Sequence, residues 1–115
     1  MRRKIVFLMS SDPLASDMGV QMARMAISIG LDHDVSMVFK GGARRLLQKP
    51  TVFRSGMHNF DGESAFLDEL EIPRYQYAEF SEDEGLVETD NHNISAIGGR
   101  EYCDLLRSAD VIVSI

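Results

Sequence analysis

Few residues in this chain could do covalent chemistry. Cys103 is the only cysteine, so it has no internal disulfide partner and no cysteine-only metal site can form. The three histidines, His33, His58 and His92, lie far apart and share no metal-type spacing with that thiol. No metal site is expected. His58 and His92 could each donate a proton, but solvated histidines need no such role. Ser10, Ser11 and Ser81 lack the elbow motif and the nearby base that a hydrolase serine requires.

Cys103 has two readings. About one turn into a helix that begins at Gly99 or Arg100, its thiol would have its pKa lowered modestly by the helix dipole. Alternatively Tyr102, Cys103, Leu106 and Ala109, linked by steps of three and four, form the face that packs on a sheet. The thiol would then be a small hydrophobe. Only Arg100 and Arg107 lie near it as basic partners, which favours the core reading.

The elements that position these residues alternate along the chain. Lys4 to Met9 reads as a strand covered on both faces. Asp12 before Pro13, or Ser16 before Asp17, caps a helix whose apolar stripe is Leu14, Met18, Met22, Met25, Ala26 and Ile29, stopped by Gly30. His33 to Phe39 is a second strand, parallel to the first through a right-handed crossover. Ala43 to Leu47 is a short helical stretch. Gln48 to Gly62 is irregular, and its Val52, Phe53, Met57 and Phe60 mark it as an interface candidate. Glu63 to Leu70 forms a helix with Ala65, Phe66 and Leu70 inward, and Arg74 to Phe80 a third strand. Ser81 to Glu84 is an acidic first helical turn ended by Gly85. Asn93 to Ile97, Arg100 to Ser108 and Asp110 to Ile115 complete the order as strand, helix and buried strand.

This alternation predicts a three-layer α/β/α fold, with a mainly parallel sheet of about five strands and residues 1–115 as a single domain. Ligands in such folds bind beyond the carboxyl ends of the strands. That edge collects Ser10, Ser11 and Asp12, then Lys40, Gly41 and Gly42, then Phe80 and Ser81, then Gly98 and Gly99. Each has a bland alternative: Ser10-Ser11-Asp12 caps a helix, and Gly41-Gly42 makes a tight turn with positive φ. The glycine fingerprint of dinucleotide binding and the Gly-Lys-Ser/Thr ending of a phosphate loop are both missing. No cofactor is expected.

A net charge of −6 with scattered basic residues disfavours nucleic acid and anionic membranes as partners. The apolar runs are far shorter than the roughly 20 residues of a transmembrane helix. The apolar stretch after Met1-Arg2-Arg3-Lys4 is too short for an export signal, so a cytoplasmic location is expected.

Three stretches together resemble the DsrE/DsrF family, which includes the sulfur-relay proteins of the Tus type. They are Lys4-Ile5-Val6-Phe7-Leu8 with the Pro13 loop, Val38-Phe39-Lys40-Gly41-Gly42 leading to Leu46-Leu47, and Ser108-Ala109-Asp110-Val111-Ile112-Val113. The resemblance spans the chain in element order and length. It implies a doubly wound subunit that assembles into dimers, trimers or hexamers, some members carrying sulfur as a cysteine persulfide. Their acceptor cysteine lies just after the third strand, before a Gly-Leu. The matching stretch here, Tyr77 to Leu86, contains no cysteine, and Cys103 matches no acceptor position. The acidic run from Glu79 to Glu84 would also repel a hydrosulfide. The expectation is a non-catalytic or accessory homo-oligomeric member that binds a protein partner or small ligand at the strand-end crevice. A sulfurtransferase-type persulfide carrier using Cys103 is the alternative, and a flavodoxin-like binder a weaker one.

Overall fold

A computed structural model describes residues 2–10, 18–47, 61–78, 86–87 and 89–114. The strands are β1 (Lys4–Met9), β2 (Asp34–Phe39), β3 (Arg74–Tyr77), β4 (Ile94–Ile97) and β5 (Val111–Ser114), and the helices α1 (Met18–Ile29), α2 (Asp61–Glu69) and α3 (Gly99–Ser108). A 3₁₀ helix, Gly41–Leu47, follows β2. The sheet order is β4-β3-β2-β1-β5 and every pairing is parallel. β1 and β2 sit inside the sheet, where Ile5 to Met9 is a continuous apolar run and β2 buries Val35, Met37, Val38 and Phe39, the pattern of strands covered on two faces.

The order of the strands decides where the helices go. The chain steps one way from β1 through β2 and β3 to β4, and right-handed crossovers put α1 and α2 on one face. The last connection returns across β3, β2 and β1 to reach β5, which puts α3 on the other. The first face holds the core: Phe7, Met9, Met37 and Phe39 are fully buried beneath α1 and α2, together with Leu67 of α2. Each such side chain stabilises the fold by about 1.5–3 kcal/mol.

The buried stripe of α1 is Gly19, Val20, Met22, Ala23 and Ala26, so the expected stripe is corrected: Met22 and Ala26 are in it, whereas Met18 and Met25 are exposed. Small residues define this stripe because the helix sits close to its neighbours. A Cβ on Gly19 would come within 2.5 Å of Leu46 Cδ1, a separation that side chains do not tolerate. Gly30 follows the helix end, where a Cβ would meet Ile72 Cδ1 at 2.9 Å.

Two further expectations fail on packing. On α2 the inward residues are Glu63, Ser64 and Leu67, while Phe66 is 58% exposed and Ala65 is exposed as well. The helix closes with Glu71 at φ 55°, Ile72 N–H donating to Leu67 O and Glu71 N–H to Asp68 O. That pattern is a Schellman cap, with Leu67 and Ile72 as its apolar contact. β5 is not a buried strand: it is an edge, and Val111 and Ile112 are exposed.

The polar end of the first face is a network around Arg74, which is fully buried at the start of β3. Its guanidinium donates to Ser64 Oγ and to the Asp68 carboxylate, which also accepts from Asn91 Nδ2 at 2.9 Å and from Asn93 Nδ2. Burial pushes the Asp68 carboxyl up. The Asn91 and Arg74 hydrogen bonds, the Arg74 charge and the Asn93 amide outweigh it, and the group ends below its ordinary value.

Candidate functional site

The carboxyl edge of the sheet assembles three side chains from three separate connections. β2 ends at Phe39, and Lys40 follows with its N–H on Met9 O at 2.8 Å, which continues the β1–β2 ladder. Gly41 has φ 53°, which turns the chain sharply into the 3₁₀ helix and leaves the Lys40 side chain at the edge. Tyr77 is the last residue of β3 and lies on the face opposite Gln76, by strand alternation. Tyr102 stands in the first turn of α3. The two rings stack with centroids 4.3 Å apart and planes inclined by 20°.

Lys40 Nζ lies 3.5 Å from Tyr102 Oη, and 5.7 and 5.3 Å from the Tyr77 and Tyr102 ring centroids. Nearly equal distances to two stacked rings place the ammonium beside the stack, not above either face. Cation–π attraction needs the cation over the ring, so it contributes little here. Arg44 ties the edge together from below, Nε donating to Gly41 O and Nη1 to Tyr77 O.

The start of α3 closes the site. Gly98 N–H donates to the Glu101 carboxylate at 3.1 Å, half of a capping box that a glycine cannot return. A Cβ on Gly99 would be 3.8 Å from Tyr77 Oη, so this bare backbone lies against the phenol. Lys40, Gly98 and Gly99 are thus brought to one place. Ser10 is exposed just past β1. Ser11, Asp12, Phe80 and Ser81, and the loop residues Val52, Phe53, Met57 and Phe60, lie outside the described residues, as does His58.

Sequence reasoning missed Tyr77 and assigned Tyr102 only to packing. The signal was present: Tyr77 closes a strand and Tyr102 opens the helix after the next one, so the topology brings both to one edge. Cys103 is a correction, because its thiol is exposed. The half-buried residues of α3 are Tyr102, Leu105 and Leu106, a face centred about 100° away from Cys103 around the helix. His33 has a structural role, its Nδ1 accepting from Arg3 N–H, and His92 is exposed. Among the described residues no group of three or more His, Cys, Asp or Glu could hold a metal ion. Among them, too, no helix is long and apolar enough to cross a membrane.

Beneath α3, Lys4, Tyr75, Ile97, Glu101, Asp104, Leu105 and Ser108 line a cavity of about 430 Å³. Lys4 Nζ donates to Ser108 Oγ at 2.6 Å across it. No residue of α3 is fully buried.

No family model and no curated protein matches the chain. Among solved structures it is similar to the crystal structure of the ychN protein from E. coli, at a TM-score of 0.81 and 16% identity, with 100% of each chain covered. Five parallel strands, helices on both faces and matched full lengths lead to one conclusion: this chain has the fold of the ychN protein from E. coli.

Proposed function

We propose that this chain is a small cytoplasmic homo-oligomer related to the DsrE/DsrF sulfur-relay proteins, and that it serves as an accessory binding protein. The relationship is supported by the three resembling sequence stretches and by the fold shared with the ychN protein. The accessory role is carried by one observation: the carboxyl edge presents Lys40, Tyr77 and Tyr102, and the chain has no cysteine between Tyr77 and Leu86. Such an edge can hold a ligand. It offers no thiolate there to accept sulfur.

Oligomerisation is supported by the weakly covered face of the sheet. α3 buries no residue fully, and Val111 and Ile112 are exposed on the edge strand β5. The apolar Val52 to Phe60 loop is proposed as a further part of the interface. Size exclusion with light scattering tests this reading at micromolar concentration. A multimer is expected, and Ile112→Asp should shift it towards monomer; a wild-type monomer would remove the proposal.

The exposure of Cys103 favours a second reading, a persulfide carrier. Mass spectrometry after treatment with a sulfur donor decides between them. An adduct of about +32 Da, one sulfur on a thiolate, supports the carrier. An unmodified thiol returns the function to the edge.

A further inference from the structure

We propose that the Lys40–Tyr102 edge binds a small organic monoanion through a carboxylate. This names a ligand class for the crevice and rests on the binding role proposed above. The chain has 18 acidic and 12 basic residues, so an ammonium packed between elements should find a carboxylate neighbour. Arg74, the fully buried cation, meets Asp68, and Arg24, which bridges α1 and α2, meets Glu63. Lys40 is half-buried between β2, β3 and α3, yet among the described residues it pairs with no carboxylate. Its polar partner is a neutral phenol at 3.5 Å, and the aromatic stack lies to its side.

A partly desolvated cation in that position favours an anion strongly enough to select one. Lys40 Nζ and Tyr102 Oη are adjacent donors, matched to the two oxygens of a single carboxylate. Gly98 and Gly99 carry no side chains, and the Tyr77 hydroxyl adjoins Gly99, so this bare backbone borders the Lys40–Tyr102 pair. The charge count sets the valence. Arg44 is held against two backbone carbonyls, and the Glu101 carboxylate at the Gly98 N–H opposes a second negative charge. A dianion is therefore disfavoured.

The test is an amide NMR titration of the full chain with acetate, with its neutral isostere acetamide and with sulfate, at fixed ionic strength. Acetate should shift the Lys40, Tyr77, Gly98, Gly99 and Tyr102 amides saturably, and acetamide should not. Lys40→Met should weaken acetate binding by about tenfold or more, as expected for a lost charged hydrogen bond. Unchanged β1 amides would show that the variant folds. Should it not fold, Tyr102→Phe keeps the ring stack, loses only the hydroxyl, and should weaken binding by about threefold. Equal shifts with acetate and acetamide, tighter binding of sulfate, or wild-type affinity in Lys40→Met would each overturn the inference. So would a change of assembly state in Lys40→Met with acetate silent, which would assign the ammonium to a subunit contact. A multimer that ignores acetate overturns the ligand class and leaves the oligomer standing; a monomer that binds acetate does the reverse.

Discussion

The two faces of the sheet are built from the same strands and packed to different standards. On the first, α1 and α2 close over Phe7, Met9, Met37 and Phe39, with Leu67 of α2 packed among them, all fully buried. On the second, α3 is the one helix among the described residues, with no residue fully buried and a pocket of about 430 Å³ beside it. Neighbouring strands lie about 4.8 Å apart and a helix is about 10 Å wide, so one helix covers roughly two of five strands. Val6 and Val38, in the middle of this face, are fully buried, with Ser36 buried between them. The difference separates the tightly packed face from the one proposed to take up ligand and partner.

Mutations can break or sharpen this contrast. On the first face Phe7→Ala should cost about 3–5 kcal/mol in urea unfolding, through lost burial and a residual cavity. A loss below about 1 kcal/mol would mean that the core lies elsewhere. Next in size is Asp68→Ala, which strands the buried Arg74 guanidinium without its carboxylate and should cost about 3 kcal/mol. The same group predicts the acid limb. Because the folded Asp68 sits below its ordinary value, its contribution is fully present above the unfolded pKa near 4 and fades as pH falls through the lower folded value. Asp68→Asn should flatten stability against pH below about 4, and an unchanged acid limb would contradict that assignment.

The second face should respond weakly. Leu105→Ala, on half-covered α3, should cost about 1 kcal/mol or less in a dilute sample where only the monomer is present. A larger loss would show that α3 packs as tightly as α1. The smallest effect belongs to the cap of α2: Glu71→Gly should gain about 0.5–1 kcal/mol, since a left-handed conformation strains any residue with a Cβ. A loss on thermal denaturation would indicate that the Glu71 side chain makes a compensating contact.

Much of the fold was legible because periodicity reports burial directly. The run Lys4 to Met9 reads as a strand covered on both faces and is an inner strand, and His33 to Phe39 reads as a second strand and contains β2. The misreadings share one cause: apolar residues were assumed to be covered. Met25, Phe66 and Ile112 match apolar patterns and stay exposed, because the element that would cover each is missing from its side among the described residues. Cys103 was placed inside for the same reason and lies outside. At the candidate site, Lys40, Gly98 and Gly99 followed from strand-end positions alone. Tyr77 did not, since its stacking on Tyr102 joins residues that sequence spacing leaves unrelated.

The sequence by itself determined the alternation of strands and helices, the parallel pairing of β1 with β2 and the vacancy of cysteine after β3, because each is a local pattern or a count. Only the tertiary structure decided that the last connection crosses back to leave β5 as an edge, that α3 lies on the face opposite α1 and α2, and that Lys40 meets two tyrosines and no carboxylate among the described residues. Those outcomes depend on contacts between residues distant in sequence, where the packing partner, not the residue's own chemistry, sets burial and charge environment.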